Sequence, residues 1–118
     1  MRTAASRAAY RVVMLVAFSV APSVPADSAG SVSDAVAAAV AVVRESGLPH
    51  RTSSMFTELE GEWDEVFDVV KRATEAVAAH GSRVSLVLKA DIRPGRTGEI
   101  TGKLDRLEAA ITAQESGD

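Results

Sequence analysis

Residues 12–21 read VVMLVAFSVA, and the interpretation of this stretch decides the fold of the whole chain. Bulky side chains occupy every even position from 12 to 20, whereas small residues stand at Ala17, Ser19 and Ala21. A period of two is typical of a β-strand that buries one of its faces. The stretch therefore predicts a strand with one heavily packed side.

The same stretch also fits the apolar part of a secretion signal. Three arginines precede it, and Val24-Pro25-Ala26 is close to a small-x-small cleavage site. Cleavage there would leave about 90 residues, and their sheet would lack a central strand and expose two unpaired edges. We therefore expect residues 12–21 to belong to the folded protein, residues 1–11 to form a disordered extension, and the protein to be cytoplasmic. Secretion is the alternative, if residues 1–26 are a signal peptide.

Composition excludes several classes of function. The chain has 118 residues, a formal charge of −3 and scattered basic residues, which argues against nucleic acid as a partner. It has no cysteine, and its two histidines, His50 and His80, lie far apart, so we expect no metal site and no cofactor. No apolar run reaches the roughly 18 residues that a membrane span needs, so we expect no membrane partner.

Two helices are predicted downstream of the first strand. A loop is expected over residues 22–30, with Ser31 as the N-cap of the first helix and Gly47 at its end. The second helix is predicted over residues 62–80, with acids in its first turn and Gly81 at its end. Trp63 is interpreted as a core anchor. The stripes expected to face the core are Val32, Val36, Val40 and Val43 in the first helix, and Trp63, Val66, Phe67, Val70, Ala73 and Val77 in the second.

The remaining segments are a hairpin, a long strand and a short helix. Alternating side chains over residues 50–61 predict a hairpin or a bent pair of short strands over residues 50–53 and 56–60, although no Asn-Gly or Asp-Gly pair marks the turn. Residues 84–92 alternate strongly and predict a second long strand. Residues 100–111 carry apolar side chains at helical spacing and predict a last short helix, followed by a polar tail over residues 113–118.

This order of elements favours a ferredoxin-like α+β sandwich. A four-stranded antiparallel sheet would carry both long helices on one face, with the two long strands in the middle and a short C-terminal helix added. The domain would span residues 12–112. Two subunits are expected to pair through the other face of the sheet or through the sheet edges.

Four stretches of the chain, within residues 16–93, together resemble the sequence pattern of a known family. The most specific piece is T-x-x-E-G-E-W-D-E-V over residues 57–66, followed by the strand pattern K-x-D-x-R from Lys89. In this order the stretches resemble the small thiamine-binding proteins of the UPF0045 (MTH1187/YkoF-like) family. Phe56, Ala17 and Ile92 depart from the pattern of that family. The four stretches are VAFSVAPS, SVSDAVAAAVAVVRESGL, FTELEGEWDEVFDVVKRATEAVAAHG and RVSLVLKADIR.

The resemblance implies a non-catalytic protein that binds thiamine or its hydroxymethylpyrimidine moiety. It also implies a homodimer or homotetramer built through the sheets. A thiamine site needs a carboxylate, hydroxyl groups and an apolar wall. The candidate ligand-binding residues are therefore Glu60 for the cation, Thr57 and Ser19 for hydroxyl contacts, Phe18, Phe56 or Met55 for the wall, and Lys89 and Asp91 as further contacts. The alternative function is a structural or regulatory homo-oligomer whose sheet face binds a protein partner.

Overall fold

The computed structural model describes residues 12–25 and 30–117. The predicted N-terminal extension and Ala26 of the candidate cleavage site lie outside these residues. The described part contains four strands and three helices in the order βαββαβα. They are β1 (Val13–Pro25), α1 (Gly30–Glu45), β2 (His50–Thr52), β3 (Thr57–Glu62), α2 (Trp63–Ala78), β4 (Gly81–Ile92) and α3 (Glu99–Ser116).

The four strands form one antiparallel sheet in the order β2-β3-β1-β4. This is the predicted ferredoxin-like α+β arrangement, which is thereby confirmed. One detail of the prediction is wrong, because β4 lies at an edge and β3 takes the second central position. Alternation of side chains is the same for an edge strand and a central strand with one covered face, so the pattern of residues 84–92 could not separate the two.

The core lies between one face of the sheet and helices α1 and α2. All five even positions of β1 from 12 to 20 are at most 7% exposed, as the alternation predicted. The segment that also fits a secretion signal is thus a central strand. Leu59 on the neighbouring strand is fully buried beside Val16, its register partner on β1. This face is referred to below as the core face, and the opposite side of the sheet as the outer face.

Strand β1 is longer than predicted. It continues to Pro25, so the expected loop over residues 22–30 is wrong up to that point, and residues 26–29 lie outside the described chain. Beyond Phe18 the strand pairs only with β4, because its register with β3 ends at the Phe18–Thr57 pair. Proline is tolerated where a strand has one open edge, since its missing N–H is not needed there.

Helix α1 buries Val43 as predicted, but the other core positions are alanines and not the predicted valines. Ala35, Ala39 and Val43 are at most 5% exposed, whereas Val32 and Val36 are 40% and 41% exposed. The helix begins at Gly30, so Ser31 lies inside it and is not its N-cap. Small alanines between helix and sheet allow the two backbones to approach closely, and this favours the alanine stripe over the valine stripe.

Helix α2 begins with a reciprocal capping box. The Glu62 side chain accepts a hydrogen bond from a backbone N–H of the first turn, and the Glu65 carboxylate accepts one from the Glu62 N–H at 3.1 Å. Trp63 is 41% exposed and packs against the Phe67 ring with centroids 4.8 Å apart, so its predicted role as a core anchor is wrong. Gly81 is not the helix cap either, because it already belongs to β4.

The C-terminal helix α3 is neither short nor packed along its length. It spans 18 residues and includes most of the predicted polar tail. Glu99 and Ile100 are buried in its first turn, but every residue from position 103 to 117 is exposed. Leu104, Leu107 and Ile111 keep 45%, 54% and 39% of their surface in solvent. The helix is therefore anchored at its N-terminal end only.

Candidate functional site: one cavity on each face of the sheet

The first cavity, which we call the apolar cleft, lies between β1, helix α1 and the turn that joins β2 to β3. Its volume is about 150 Å³. Phe18 and Val43 are buried in its floor, while Val36 and Val40 of α1 form one wall. None of the described residues that line it carries a charged side chain. The cleft therefore suits an uncharged, flat group and not an ion.

Thr57 supplies the buried polar group of the apolar cleft. The residue is only 9% exposed, and its hydroxyl makes no hydrogen bond to any other described residue. No side-chain N or O atom in the described chain is both fully buried and unpaired. The Thr57 hydroxyl thus keeps contact with the solvent-filled space of the cleft, where it can donate to or accept from a ligand.

The mouth of the apolar cleft is formed by a tight turn. Ser53 and Phe56 are joined by a backbone hydrogen bond of 2.9 Å, and the Ser53 hydroxyl donates to the Phe56 carbonyl at 3.0 Å. This turn holds Met55 and Phe56 at the opening, where they are 74% and 37% exposed. Exposed large apolar side chains beside a cavity are typical of a ligand-binding rim.

The second cavity, which we call the outer-face pocket, lies on the other side of the sheet. Its volume is about 220 Å³, and the first turns of α3 cover it from one side. Leu15 and Ala17 of β1 form its floor, and Ile100 and Leu104 form its apolar wall. The charged residues that line it are Glu58, Lys89, Asp91, Glu99 and Lys103.

Glu60 fixes the start of α3 above the outer face. Its side chain lies on the same side of the sheet as Leu15, its register partner on β1, and it is only 4% exposed. The carboxylate oxygen Oε1 accepts a hydrogen bond from the backbone N–H of Ile100 at 3.2 Å. A carboxylate at a helix N-terminus satisfies a free N–H and interacts favourably with the helix dipole.

Two ion pairs involve cations of α3, one joining the helix to β4 and the other lying within the helix. The Lys103 ammonium donates to Asp91 Oδ2 at 2.6 Å, and this hydrogen bond lowers the pKa of Asp91. The Arg106 guanidinium donates to both oxygens of Glu99, at 2.6 and 3.3 Å, which lowers the pKa of Glu99 and raises that of Arg106. Both acids are therefore held in their charged form by a cation of α3.

Five of the predicted ligand-binding residues line the apolar cleft, two line the outer-face pocket, and Glu60 lines neither of these two cavities. The core-face group lies around the apolar cleft, and the remaining residues lie on the outer face. A ligand in the apolar cleft therefore does not reach the Glu60 carboxylate. The first group is Phe18, Ser19, Met55, Phe56 and Thr57; the second is Glu60, Lys89 and Asp91.

Three residues that shape these cavities were missed. Val36 and Val40 line the apolar cleft, although the sequence assigned them to the core. Lys103 lies beside the outer-face pocket and neutralises Asp91. The sequence does contain an indication for the two valines. Ala35 and Ala39 form a second apolar stripe of smaller side chains on the same helix, and if that stripe faces the core, Val36 and Val40 lie beside it. No such indication exists for Lys103, because no local sequence pattern shows that α3 folds over β4.

The comparisons with known proteins agree with this fold. A family model described as "Thiamine-binding protein" matches residues 16–108. The chain belongs to that family. A UPF0045 protein of Mycobacterium bovis is 48% identical over 103 residues, which cover 86% of this chain and 98% of that protein. A UPF0045 protein of Synechocystis is 37% identical over 72% of this chain and 71% of its own length. The UPF0045 resemblance predicted from the sequence is confirmed.

The chain is also similar in fold and sequence to proteins of solved structure. A hypothetical protein of Methanocaldococcus jannascii is 30% identical with a TM-score of 0.70, covering 81% of this chain and 96% of the other. A candidate thiamine biosynthesis or salvage protein of Thermotoga maritima is 26% identical with a TM-score of 0.63, covering 75% and 94%. The family description and the name of the Thermotoga protein concern thiamine, and the names of the UPF0045 relatives specify no reaction.

The described residues were compared with the requirements of a metal-ion site and of a membrane-spanning helix. They contain no group of three or more His, Asp or Glu side chains arranged to hold a metal ion. None of the helices in residues 30–117 combines the length and the apolar character that crossing a bilayer requires.

Proposed function

We propose that this protein binds thiamine, or its hydroxymethylpyrimidine moiety, in the apolar cleft and catalyses no reaction. The observation that carries the proposal is an uncharged cleft lined by a largely buried residue, Thr57, whose hydroxyl makes no hydrogen bond to another described residue and stays open to the cleft. A cavity of about 150 Å³ accommodates a single six-membered aromatic ring. The family to which the chain belongs supports thiamine as the source of that ring.

The pyrimidine end of thiamine is the part that suits this cleft. The aminopyrimidine is flat, carries hydrogen-bond donors and acceptors, and has no fixed charge, whereas the thiazolium ring is a cation. The lining provides apolar surface from Phe18 and Val40 together with the Thr57 hydroxyl. The thiazolium would then extend past the turn formed by residues 53–56, where Phe56 offers an aromatic face to the cation.

Calorimetric titration of the full chain tests this assignment. Thiamine and free hydroxymethylpyrimidine should both bind, whereas the isolated thiazole alcohol should bind much more weakly. Thr57→Val should weaken thiamine binding by about five- to tenfold, because a hydrogen bond to the ligand is worth roughly 1 kcal/mol. The matched control is Thr112→Val on the exposed part of α3. Equal affinity of Thr57→Val and the intact protein would remove the cleft from consideration.

A second candidate function is assembly into a homodimer or homotetramer that binds a protein partner. It is favoured by the exposed apolar residues of α3, namely Leu104, Leu107 and Ile111. Light scattering after gel filtration measures the mass directly. If the protein is a stable oligomer and neither thiamine nor the pyrimidine raises its melting temperature, assembly is the better explanation.

A cytoplasmic location is part of the proposal. Residues 13–25 form the strand that pairs with both β3 and β4, so export with cleavage at residue 26 would remove a central strand. Mass spectrometry of the protein from its native host checks this. A mature product that starts near residue 27 would contradict it.

A further inference from the structure

The outer-face pocket contains one carboxylate and one ammonium that have no partner in the described chain. Glu58 on β3 and Lys89 on β4 both lie opposite Ala17 on β1, so the three residues form a row across the sheet. Neither Glu58 nor Lys89 forms a hydrogen bond or an ion pair with another described residue. Two strand spacings separate their backbones by about 10 Å, with only a methyl side chain between them.

The other charges of the outer-face pocket are already neutralised. Asp91 pairs with Lys103 and Glu99 pairs with Arg106, both at 2.6 Å. Arg51 is the register partner of Glu58 on the edge strand, but it is exposed and makes no ion pair with it. The pocket therefore offers one anionic and one cationic group to a ligand, on opposite sides of an apolar floor.

The shape of the pocket matches that charge arrangement. Leu15 and Ala17 provide an apolar floor between the two charged groups, and Ile100 and Leu104 close one side. The cavity of about 220 Å³ has room for a short hydrocarbon chain with a polar group at each end. A ligand with one charge only would leave either Glu58 or Lys89 partly desolvated and unpaired, which is unfavourable.

We propose that the outer-face pocket binds a small zwitterion of the ω-amino acid class, with Lys89 donating to the ligand carboxylate and Glu58 accepting from the ligand ammonium. Charge-assisted hydrogen bonds at both ends fix the ligand, and its methylene chain lies on Leu15 and Ala17. This site is separate from the apolar cleft, since the two lie on opposite faces of the sheet.

Calorimetric titration of the full chain with 5-aminovalerate is the test. We expect saturable binding of one molecule per chain, and binding weaker by about tenfold or more for pentanoate and for pentylamine, each of which lacks one charge. The methyl signal of Ala17 should shift on titration, whereas that of Val43 should not. No binding at about 10 mM 5-aminovalerate, or equal binding of pentanoate or pentylamine, would overturn the proposal.

Two variants locate the site. Lys89→Met and Glu58→Gln should each weaken 5-aminovalerate binding by about tenfold or more, while Lys71→Met on the exposed surface of α2 should leave it unchanged. Thiamine affinity should not change in any of the three, which separates this site from the proposed thiamine site. If the protein is a dimer that Lys89→Met or Glu58→Gln dissociates, these side chains face a second copy of the chain and the zwitterion proposal fails.

Discussion

The two faces of the sheet are built from the same strands by different means. On the core face, Val16 and Leu59 are fully buried in a continuous apolar cluster. On the outer face, Glu58 and Lys89 stand beside Ala17, and the first part of α3 covers the pocket, attached through Glu60 and the Lys103–Asp91 ion pair. Packing stabilises the first face, whereas charge and hydrogen bonding organise the second.

This difference indicates where stability and binding reside. A dry apolar core contributes most of the free energy of folding and tolerates little change of volume. A partly solvated face with charged side chains contributes little to stability but can select ligands by charge. We therefore expect substitutions in the core to have the largest effects on the free energy of unfolding. Substitutions at the ion pairs of α3 should have the smallest.

The largest effect on stability is expected for Leu59→Ala. Removing a fully buried leucine should lower the free energy of unfolding by about 2–5 kcal/mol, since both transfer energy and a cavity contribute. Leu15→Ala, on the outer face of the neighbouring strand, should cost only about 1 kcal/mol. Urea denaturation measures both. Equal losses would mean that the outer face is covered as completely as the core face.

The next effect is expected for Glu60→Ala. Loss of the buried carboxylate should cost about 1.5–3 kcal/mol, because the Ile100 N–H loses a charged acceptor. Hydrogen exchange should become faster at the first amides of α3 and stay unchanged in β1. Glu108→Ala, further along the same helix and exposed, is the control. Unchanged exchange in Glu60→Ala would show that the Lys103–Asp91 ion pair and apolar contacts hold α3 without the Glu60 hydrogen bond.

Phe56→Ala tests the rim of the apolar cleft against the rest of the surface. Thiamine affinity should fall by about three- to tenfold, the range expected for one aromatic contact, with little change in stability. Trp63→Ala is the matched control, because Trp63 is similarly exposed but does not line the cleft. A similar loss of affinity in both variants would point to an indirect effect on folding.

The smallest effect is expected from acidification. The pKa values of Asp91 and Glu99 are lowered in the folded protein, so their pairs with α3 add stability above about pH 4, the ordinary carboxyl range. That stability is lost as the pH falls through the lowered values. Replacing Lys103 and Arg106 by methionine should flatten the dependence of the urea midpoint on pH between neutral and acidic conditions. If the urea midpoint of the double variant depends on pH as steeply as that of the intact protein, the two ion pairs are not the cause of that dependence.

The sequence predicted the strands better than the helix faces. Strand alternation in residues 12–20 allows only one buried side, and that side is the observed one. Helix α1 consists largely of alanine and valine, so several helical stripes are apolar and the pattern alone cannot choose among them. The choice depends on the distance between helix and sheet, which brings Ala35 and Ala39 inward and leaves Val32 and Val36 in solvent.

The candidate site was predicted only in part, for a physical reason. Phe18, Phe56 and Thr57 do line one cavity, because the alternation along β1 places Phe18 on the core face and the turn before β3 places Phe56 next to Thr57. The Glu60–Ile100 hydrogen bond joins residues 40 positions apart, and no local pattern encodes it. Glu60 was therefore proposed to meet a ligand, whereas in the structure its carboxylate accepts from a helix N-terminus.

The two prolines of β1 have a consequence for solubility. Beyond Phe18 the strand pairs with no described residue on its β3 side, and an open strand edge is a template for adding further chains into fibrils. Pro22 and Pro25 cannot donate a hydrogen bond to such an incoming strand, and the register shifts between residues 22 and 25 distort that edge further. Replacing both prolines with threonine would restore backbone N–H donors along this edge and allow a second chain to pair with it. We therefore expect the double variant to aggregate on storage.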